Sequence, residues 1–193
     1  MKILREVVIT VIIAAAVFAL LRLTVQSYTV VMSSMEPTFQ QGDCIMVSKV
    51  SYRSSGPQRG DVIIFNPPFD SQFPFIKRVI GLPGDIVEIK DGSVSINGTP
   101  LDEDEYIAER PNYTMSATQV PENKYFVLGD NRNNSTDSSQ GWTVPRNNII
   151  GKAWFIYWPP SKLGGGKHFR YPELSEAVEQ ETEFNDSYGV QLE

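Results

Sequence analysis

Three short segments of this 193-residue chain carry side chains suited to hydrolytic chemistry. The first places Ser34 in the hexapeptide 33–38, Ser-Ser-Met-Glu-Pro-Thr. The second places Lys77 in the apolar run 75–80, and the third is the polar run 129–139, which has no aliphatic side chain. A serine hydroxyl becomes a nucleophile when a neighbouring base takes its proton, and a neutral lysine amine is such a base. Any of the three segments taken alone is also compatible with an ordinary turn, edge strand or solvated loop.

The run around Lys77 predicts a desolvated amine. Alternate side chains of a strand share a face, so Lys77 is expected beside Phe75 and Val79, while Arg78 points to the opposite face. An amine among apolar side chains loses solvation, which disfavours its charged form and lowers its pKa. One of these two cations is therefore expected on an apolar face, and the polar run 129–139 could supply the partners that a buried lysine and the adjacent Arg78 need.

Residue counts exclude several other kinds of site. His168 is the only histidine and Cys44 the only cysteine, so the chain offers neither an internal disulfide nor a His/Cys zinc site. We therefore predict no metal and no cofactor. A Ser-His-Asp triad would have to take its base from His168, which follows the glycine run 164–166, and we favour lysine instead. The net charge of −6 argues against a nucleic-acid partner.

A twenty-residue apolar stretch, 7–26, precedes the first segment and has Arg22 as its only charge. A helix of that length covers about 30 Å, the thickness of the hydrocarbon core of a bilayer. A cleavable signal peptide is the alternative, because Lys2 and Arg5 form a basic start, but no small-x-small cleavage site follows. The positive-inside tendency places residues 1–6 in the cytoplasm and the following domain on the exported side.

The segment 27–160 has the pattern of a β-rich domain. Short apolar or alternating runs recur between turn residues at 45–47, 61–65, 75–80, 86–89, 94–96, 125–128 and 153–157. This pattern predicts coiled antiparallel sheets or a barrel and not βαβ units. Residues 98–124 are more polar and are expected to form a small cap. Residues 161–193 are acidic and glycine-rich, and we expect a mobile tail.

Together these segments resemble the motifs of type I signal peptidases. The elements 34–38, 77–85 and 129–138 match that family's motifs in its order, after an anchor, and the resemblance covers residues 7–158. It implies a mostly β catalytic domain of coiled antiparallel sheets outside the cytoplasm. It also implies removal of signal peptides from exported preproteins, bound as extended chains with small residues at positions −1 and −3. Expected partners are those peptides and the lipid bilayer of the cell membrane or a thylakoid membrane, with the protein monomeric.

The resemblance further implies roles for individual residues. Ser34 would be the nucleophile and Lys77 the general base. Ser135 would hydrogen-bond the lysine amine and orient it. Asp137 would pair with Arg78 and brace the strand that carries the lysine. The residues that would hold the polar loop together are Asp130 and Arg132.

Two positions depart from the family pattern. Met32 stands where the family usually has Ser, Thr or Gly, which contributes to the oxyanion hole beside the backbone N–H of Ser34. Losing one such donor can cost about 10²–10³ in rate. We expect Ser33 or the Met32 backbone to substitute, and a weakly active enzyme is the alternative. The second departure is Ser139, where a basic residue often follows the loop motif.

Two other functions stay open from the sequence. A self-cleaving repressor-type protease also uses a Ser/Lys pair, but such proteins are soluble, and the apolar stretch counts against this interpretation. A membrane-tethered β domain that binds exported peptides without cutting them is compatible with Met32. Fractionation of the intact protein tests the first alternative, and incubation with a preprotein beside Ser34→Ala and Lys77→Ala variants tests the second.

Overall fold

One helix precedes a series of short strands in the computed structural model, which describes residues 2–165 and 168–174. The helix α1 spans Lys2–Thr24. The strands are β1 Val25–Thr29, β2 Cys44–Ser48, β3 Val62–Phe65, β4 Phe75–Gly81, β5 Ile86–Lys90, β6 Ser93–Ile96, β7 Thr99–Pro100, β8 Met115–Gln119, β9 Lys124–Leu128, β10 Val144–Pro145, β11 Ile149–Trp158 and β12 Gly164–Gly165.

The helix α1 is apolar and exposed along its whole length. It is the one helix, within the described ranges, that is long and apolar enough to cross a membrane. Its 23 residues cover about 35 Å at 1.5 Å per residue. It begins before the predicted stretch 7–26 and ends two residues earlier, because Val25 and Gln26 pair with Ser48 and Val47 of β2. Its length and composition are consistent with membrane association.

The first sheet is a curled, half-barrel antiparallel sheet, as the sequence predicted. Its strands run in the order β1-β2-β11-β3-β4-β9-β10, and β12 pairs with β11, counting only described residues. The ten-residue β11 pairs with β2 on one side and β3 on the other, with register shifts against both. Such bulges increase local twist, so they let one long strand turn the corner of the sheet.

Strand β4 lies inside this sheet and has apolar clusters on both faces. Phe75 and Val79 pack in one cluster, and Ile80 belongs to another. The alternation predicted for the run 75–80 is therefore confirmed. Because both faces are covered, Lys77 and Arg78 are both buried, although only one of the two cations was expected on an apolar face.

A second sheet has the order β7-β6-β5-β8 among the described residues. The segment 98–124, expected as a cap, supplies β7 and β8, but their partners β5 and β6 begin earlier, at Ile86. The two sheets share one apolar cluster, in which Val87 and Ile89 of β5 pack with Ile80 and Leu128 of the first sheet. The inserted unit is therefore larger than the polar segment alone.

Part of the predicted mobile tail packs against the domain. Tyr171 is 8% exposed and joins the cluster shared by the two sheets. Its hydroxyl lies 2.7 Å from that of Tyr106, and its ring meets Phe169 edge-on. The expectation of a mobile tail is therefore wrong for residues 168–174, because their aromatic side chains gain burial that the acidic composition concealed. Residues 166, 167 and 175–193 of the predicted tail lie outside the described residues.

Candidate active site

Ser34 and Lys77 meet in the folded chain although 43 positions separate them. Lys77 Nζ lies 2.6 Å from Ser34 Oγ and donates a second hydrogen bond of 2.8 Å to the carbonyl oxygen of Ile76. Ser34 is 6% exposed and Lys77 3% exposed. With one N–H held by Ile76, a neutral amine can direct its lone pair at the serine proton.

Burial lowers the pKa of Lys77 from 10.5 to about 8. The negative charges of Asp137 and Asp130 oppose this shift, but the loss of solvation is larger. The ring of Phe75 lies 5.4 Å from Nζ and forms part of the apolar surroundings. A substantial fraction of the amine is therefore neutral just above neutral pH, which a general base requires.

The polar loop 129–139 holds the turn that carries Ser34, the predicted nucleophile. The backbone N–H of Asn131 donates to the carbonyl oxygen of Ser34 at 3.1 Å. The Asn131 side chain donates to the carbonyl oxygen of Ser33 at 3.2 Å. On the other side, Met35 and Phe39 are buried in the apolar cluster beneath the turn. Ser34 is thus fixed between a hydrophobic core and a hydrogen-bonding loop.

Gly129 allows this loop to approach the nucleophile turn. A Cβ atom at position 129 would lie 2.3 Å from Ser135 Oγ and 2.4 Å from the carbonyl oxygen of Ser34. The second contact is with backbone, which cannot rotate away. A side chain at this position would therefore push the loop and the nucleophile turn apart.

Arg78 pairs with Asp130 and not with Asp137. Its guanidinium donates to both carboxylate oxygens of Asp130, at 2.8 and 2.7 Å, and both side chains are fully buried. The Thr38 hydroxyl also donates to Asp130, at 2.6 Å. The predicted Asp137–Arg78 pair is wrong, because Asp130 is the acid that the start of the loop brings against strand β4.

Asp137 instead organises its own loop. Its carboxylate accepts hydrogen bonds from the backbone N–H of Gly129 at 2.9 Å and from the backbone and hydroxyl of Ser139 at 3.1 and 2.7 Å. It caps the short turn that begins at Ser138. The departure at Ser139 therefore gives Asp137 a hydroxyl partner where the family often has a cation.

Ser135 is near the dyad but does not bind the lysine in the structure. Its hydroxyl is buried and has no hydrogen-bond partner within the described residues. The polar contacts of Lys77 Nζ are those with Ser34 and Ile76, which corrects the expected hydrogen bond from Ser135. Ser135 and Lys77 nevertheless line the same cleft.

Arg132 anchors the polar loop through partners that the sequence did not single out. It binds the carboxylate of Glu103 with two N–H groups and donates to the carbonyl oxygen of Gly129 at 3.0 Å. The Tyr106 hydroxyl donates to Glu103 at 2.5 Å. Glu103 and Tyr106 lie in the segment interpreted only as a polar cap, and nothing local in that segment marks them as buried.

Two clefts meet at the dyad. An apolar cavity of 280 Å³ is lined chiefly by Tyr28, Val30, Ile45, Ile64, Phe73 and Ile76. A polar cleft of 500 Å³ is lined chiefly by Ser33, Gln41, Asn133, Asn134, Ser135 and Thr136. Ser34, Lys77 and Met32 line both. An extended peptide lying in the apolar cavity would therefore pass the Ser34 hydroxyl, with the groups of the polar cleft on the other side of Ser34.

His168 is engaged elsewhere. Its Nδ1 lies 2.9 Å from the buried carboxylate of Asp61, which also binds Lys152 and the hydroxyl of Tyr52. Neither His168 nor Asp61 lines the clefts at Ser34. Across the described ranges, no three His, Cys, Asp or Glu side chains come together as a metal site would require.

A family model and several known proteins that resemble this chain are all described as signal peptidases. Residues 3–158 match the family described as signal peptidase, peptidase S26. The chain is 49% identical over 138 residues to probable signal peptidase I-1 of Synechocystis, covering 68% of this chain and 70% of that protein. It is 46% identical over 137 residues to probable signal peptidase I-2 of the same organism, covering 68% and 62%.

A more distant relative matches over a greater length. Signal peptidase IB of Staphylococcus aureus is 33% identical over 190 residues, which is 89% of this chain and 97% of that protein. The match to the second Synechocystis protein, by contrast, spans less than two thirds of its length. The family match covers the helix from its second residue, both sheets apart from β12, and the three motifs. The chain therefore belongs to the signal peptidase family, peptidase S26.

Proposed function

We propose that this protein is a membrane-bound serine endopeptidase that removes N-terminal signal peptides from exported preproteins, with Ser34 as nucleophile and Lys77 as general base. The observation that carries the assignment is the 2.6 Å contact between Lys77 Nζ and Ser34 Oγ. The contact is buried, and the pKa of the lysine is lowered to about 8. The names of the family relatives support the substrate class.

The dyad accounts for each proton in the reaction. Ser34 Oγ bonds to the scissile carbonyl carbon, its proton passes to Lys77 Nζ, and the carbonyl π electrons move to oxygen. As the carbonyl re-forms, the C–N bond breaks, and the leaving amine of the mature protein takes the proton from Lys77. Water then adds to the ester and gives a proton to Lys77. That proton returns to Ser34 Oγ as the signal peptide leaves with a free carboxyl group.

The sheet offers a place for an extended substrate. Residues Phe75–Arg78 of β4 pair with β3 along one edge, whereas pairing with β9 begins only at Arg78. In the described part of the chain, the second edge of 75–77 thus has no strand partner, and these residues line the apolar cavity. A peptide can add there by main-chain hydrogen bonds and place alternate side chains in the cavity. This arrangement suits the small residues expected at positions −1 and −3.

The same proposal includes a membrane arrangement. The helix ends at Thr24, and Ser34 follows ten residues later, a reach of at most about 35 Å for a fully extended chain. Residues 1–6 would be cytoplasmic, 7–26 would cross the membrane, and the catalytic domain 27–160 would lie on the exported side as a monomer. The bilayer would be the cell membrane or a thylakoid membrane.

A cleavage assay on the full-length protein in detergent tests this proposal. Wild type should cleave a preprotein, and Ser34→Ala and Lys77→Ala should not. Lys77→Arg should also be inactive, because arginine does not deprotonate in proteins. The exposed Lys90 provides a control, and Lys90→Ala should cleave like wild type.

Two results would count against the assignment. Cleavage that persisted in both dyad variants would exclude this mechanism. Failure of wild type to cleave any preprotein, with peptide binding retained, would favour the silent peptide-binding domain.

A further inference from the structure

The oxyanion hole of this site lacks a side-chain donor at the usual position. Met32 is 51% exposed in the cleft beside Ser34, and its thioether has no hydrogen to donate. The backbone N–H of Ser34 donates to no acceptor in the described part of the chain, so it can serve as one donor. A second donor has to come from another group that lines the same cleft.

Ser33 and Asn134 form a polar pair at that place. Asn134 Nδ2 donates to Ser33 Oγ at 3.2 Å, across 101 positions of sequence. Both residues line the polar cleft together with Ser34 and Lys77. Within the described residues, this is the one hydrogen bond that the Ser33 hydroxyl makes, and in it the hydroxyl is the acceptor.

We propose that the Ser33 hydroxyl is the second oxyanion donor and that Asn134 is the positioning residue that aims it. A serine hydroxyl has one proton and two lone pairs. Because the Asn134 N–H occupies a lone pair, the Ser33 proton is left to point elsewhere, and the cleft is the open direction. When Ser34 adds to the substrate, the carbonyl oxygen gains the electron pair and accepts hydrogen bonds from the Ser34 N–H and the Ser33 O–H. No proton is transferred in that contact.

The surroundings hold this pair in place from both sides. The carbonyl oxygen of Ser33 accepts from the Asn131 side chain at 3.2 Å and from the backbone N–H of Glu36 at 3.0 Å. Asn133, adjacent to Asn134, accepts from the backbone N–H of Asn112 at 2.9 Å. Donors held in advance need little reorganisation as charge develops, which is the condition for effective oxyanion stabilisation.

The pair also provides a hydroxyl donor beside Ser34, where the Met32 side chain provides none. Without Asn134, no hydrogen bond from the described residues would fix the orientation of the Ser33 hydroxyl. With Asn134 in place, one orientation of the Ser33 O–H is favoured. A hydroxyl that accepts one hydrogen bond also donates a stronger one. The inference rests on the proposed function, since an oxyanion forms only if Ser34 attacks a carbonyl.

Steady-state kinetics of Ser33→Ala, Asn134→Ala and the double variant test the proposal. Ser33→Ala should lower kcat about 10²-fold, as the loss of one oxyanion donor does. Asn134→Ala should lower it about tenfold, because the hydroxyl remains but is no longer aimed. KM should stay within about twofold in each case, because the contact forms in the transition state. The double variant should match Ser33→Ala, because Asn134 acts through Ser33.

Two further measurements separate positioning from a structural role. The pKa seen in the pH dependence of kcat/KM should stay near that of wild type in Asn134→Ala, because Lys77 is not touched. Adding Met32→Ser to Ser33→Ala should restore activity at least about tenfold by supplying a new donor. Asn148→Ala is the matched control, since its side-chain amide likewise donates a long-range hydrogen bond, to the backbone carbonyl of Asn66, but lines neither cleft, and it should leave kcat unchanged.

The proposal is overturned if dyad-dependent cleavage occurs and Asn134→Ala keeps the wild-type kcat. Independent, multiplicative losses in the double variant would also overturn it. So would a gain of two orders of magnitude from Met32→Ser in otherwise wild-type protein, since the oxyanion hole would then be incomplete. If cleavage does not depend on Ser34 and Lys77, the proposed function fails first, and this inference fails with it.

Discussion

Lys77 and Arg78 are adjacent, both buried, and in opposite electrostatic situations. Arg78 is held by both oxygens of Asp130; burial favours its neutral form, but Asp130 outweighs that effect and raises the pKa of Arg78. Lys77 has no carboxylate in hydrogen-bonding contact, so the loss of solvation dominates and its pKa falls to about 8. Because alternate side chains of a strand point to opposite faces, a permanent cation and a titratable amine can occupy adjacent positions in different surroundings.

The buried lysine should cost stability below its folded pKa. The unfolded chain holds the proton up to about pH 10.5 and the folded chain only up to about 8. Stability therefore rises with pH between these values, because the unfolded state binds more protons there. The full penalty, present below pH 8, is on the order of 3 kcal/mol at about 1.4 kcal/mol per pKa unit.

Lys77→Met should accordingly be inactive yet more stable at pH 7. We expect a gain of about 2 kcal/mol, after about 1 kcal/mol for the lost hydrogen bond to Ile76. The gain should shrink as pH approaches 10. Urea unfolding in detergent at pH 7 and pH 10 measures both values, with the exposed Lys90→Met as control. A difference that does not change with pH would contradict a lowered lysine pKa.

At the scale of elements, the polar loop 129–139 acts as a clamp on the nucleophile turn. It grips the turn through Asn131 and is itself held by Arg132 and Asp137. The closest approach is at Gly129, where a Cβ would overlap the backbone of Ser34. The separation of these two segments therefore decides the position of Ser34 Oγ.

Gly129→Ala should displace the nucleophile turn. We expect a loss of about 1–3 kcal/mol in the free energy of unfolding, as overpacked sites show. Activity should fall at least about tenfold, because small misplacements at a reacting centre are costly. Gly164→Ala is the control, since its nearest neighbour would be 3.8 Å away and neither glycine has a positive φ. Unchanged kcat in Gly129→Ala would show that the clamp is not required.

At the scale of the whole molecule, Tyr106 links the second sheet, the C-terminal segment and the polar network behind the dyad. Its ring centre lies 4.2 Å from the Arg78 guanidinium, and its hydroxyl contacts Glu103 and Tyr171. Phe169 packs on the same ring at 5.0 Å. The segment 168–174 thus covers a cluster that includes Arg78, the sequence neighbour of Lys77.

Removing the Tyr171 side chain should loosen this assembly. Tyr171→Ala is expected to cost about 3–5 kcal/mol, as large aromatic truncations in cores do. Tyr171→Phe should cost only about 1 kcal/mol, since the ring stays and Tyr106 keeps Glu103. Thermal or urea unfolding separates the two variants, and the exposed Leu163→Ala serves as control. Equal effects of Tyr171→Ala and Leu163→Ala would argue that the C-terminal segment contributes nothing to the core.

Much of the fold was predictable because hydrophobic patterning is local. All seven runs assigned as strands from the sequence form strands, and the apolar stretch forms the helix. Strands β1, β7, β8, β10 and β12 were missed. They are short, polar or glycine-rich, so they exist because a neighbouring strand pairs with them and not because of their own sequence.

The patterning of the chain was enough to predict its apolar helix and its β-rich domain, and the resemblance of three motifs to a known family was enough to predict the Ser34–Lys77 pair. A desolvated lysine follows from its immediate strand neighbours, which are a property of the linear sequence. Only the tertiary structure determined the partners of the supporting residues. In it, Arg78 pairs with Asp130, Asp137 accepts hydrogen bonds within its own loop, and Arg132 pairs with the buried Glu103. Several acids of equal chemistry stand in reach of each cation along the sequence. Which acid pairs with which cation depends on strand register and loop packing, and neither is encoded locally.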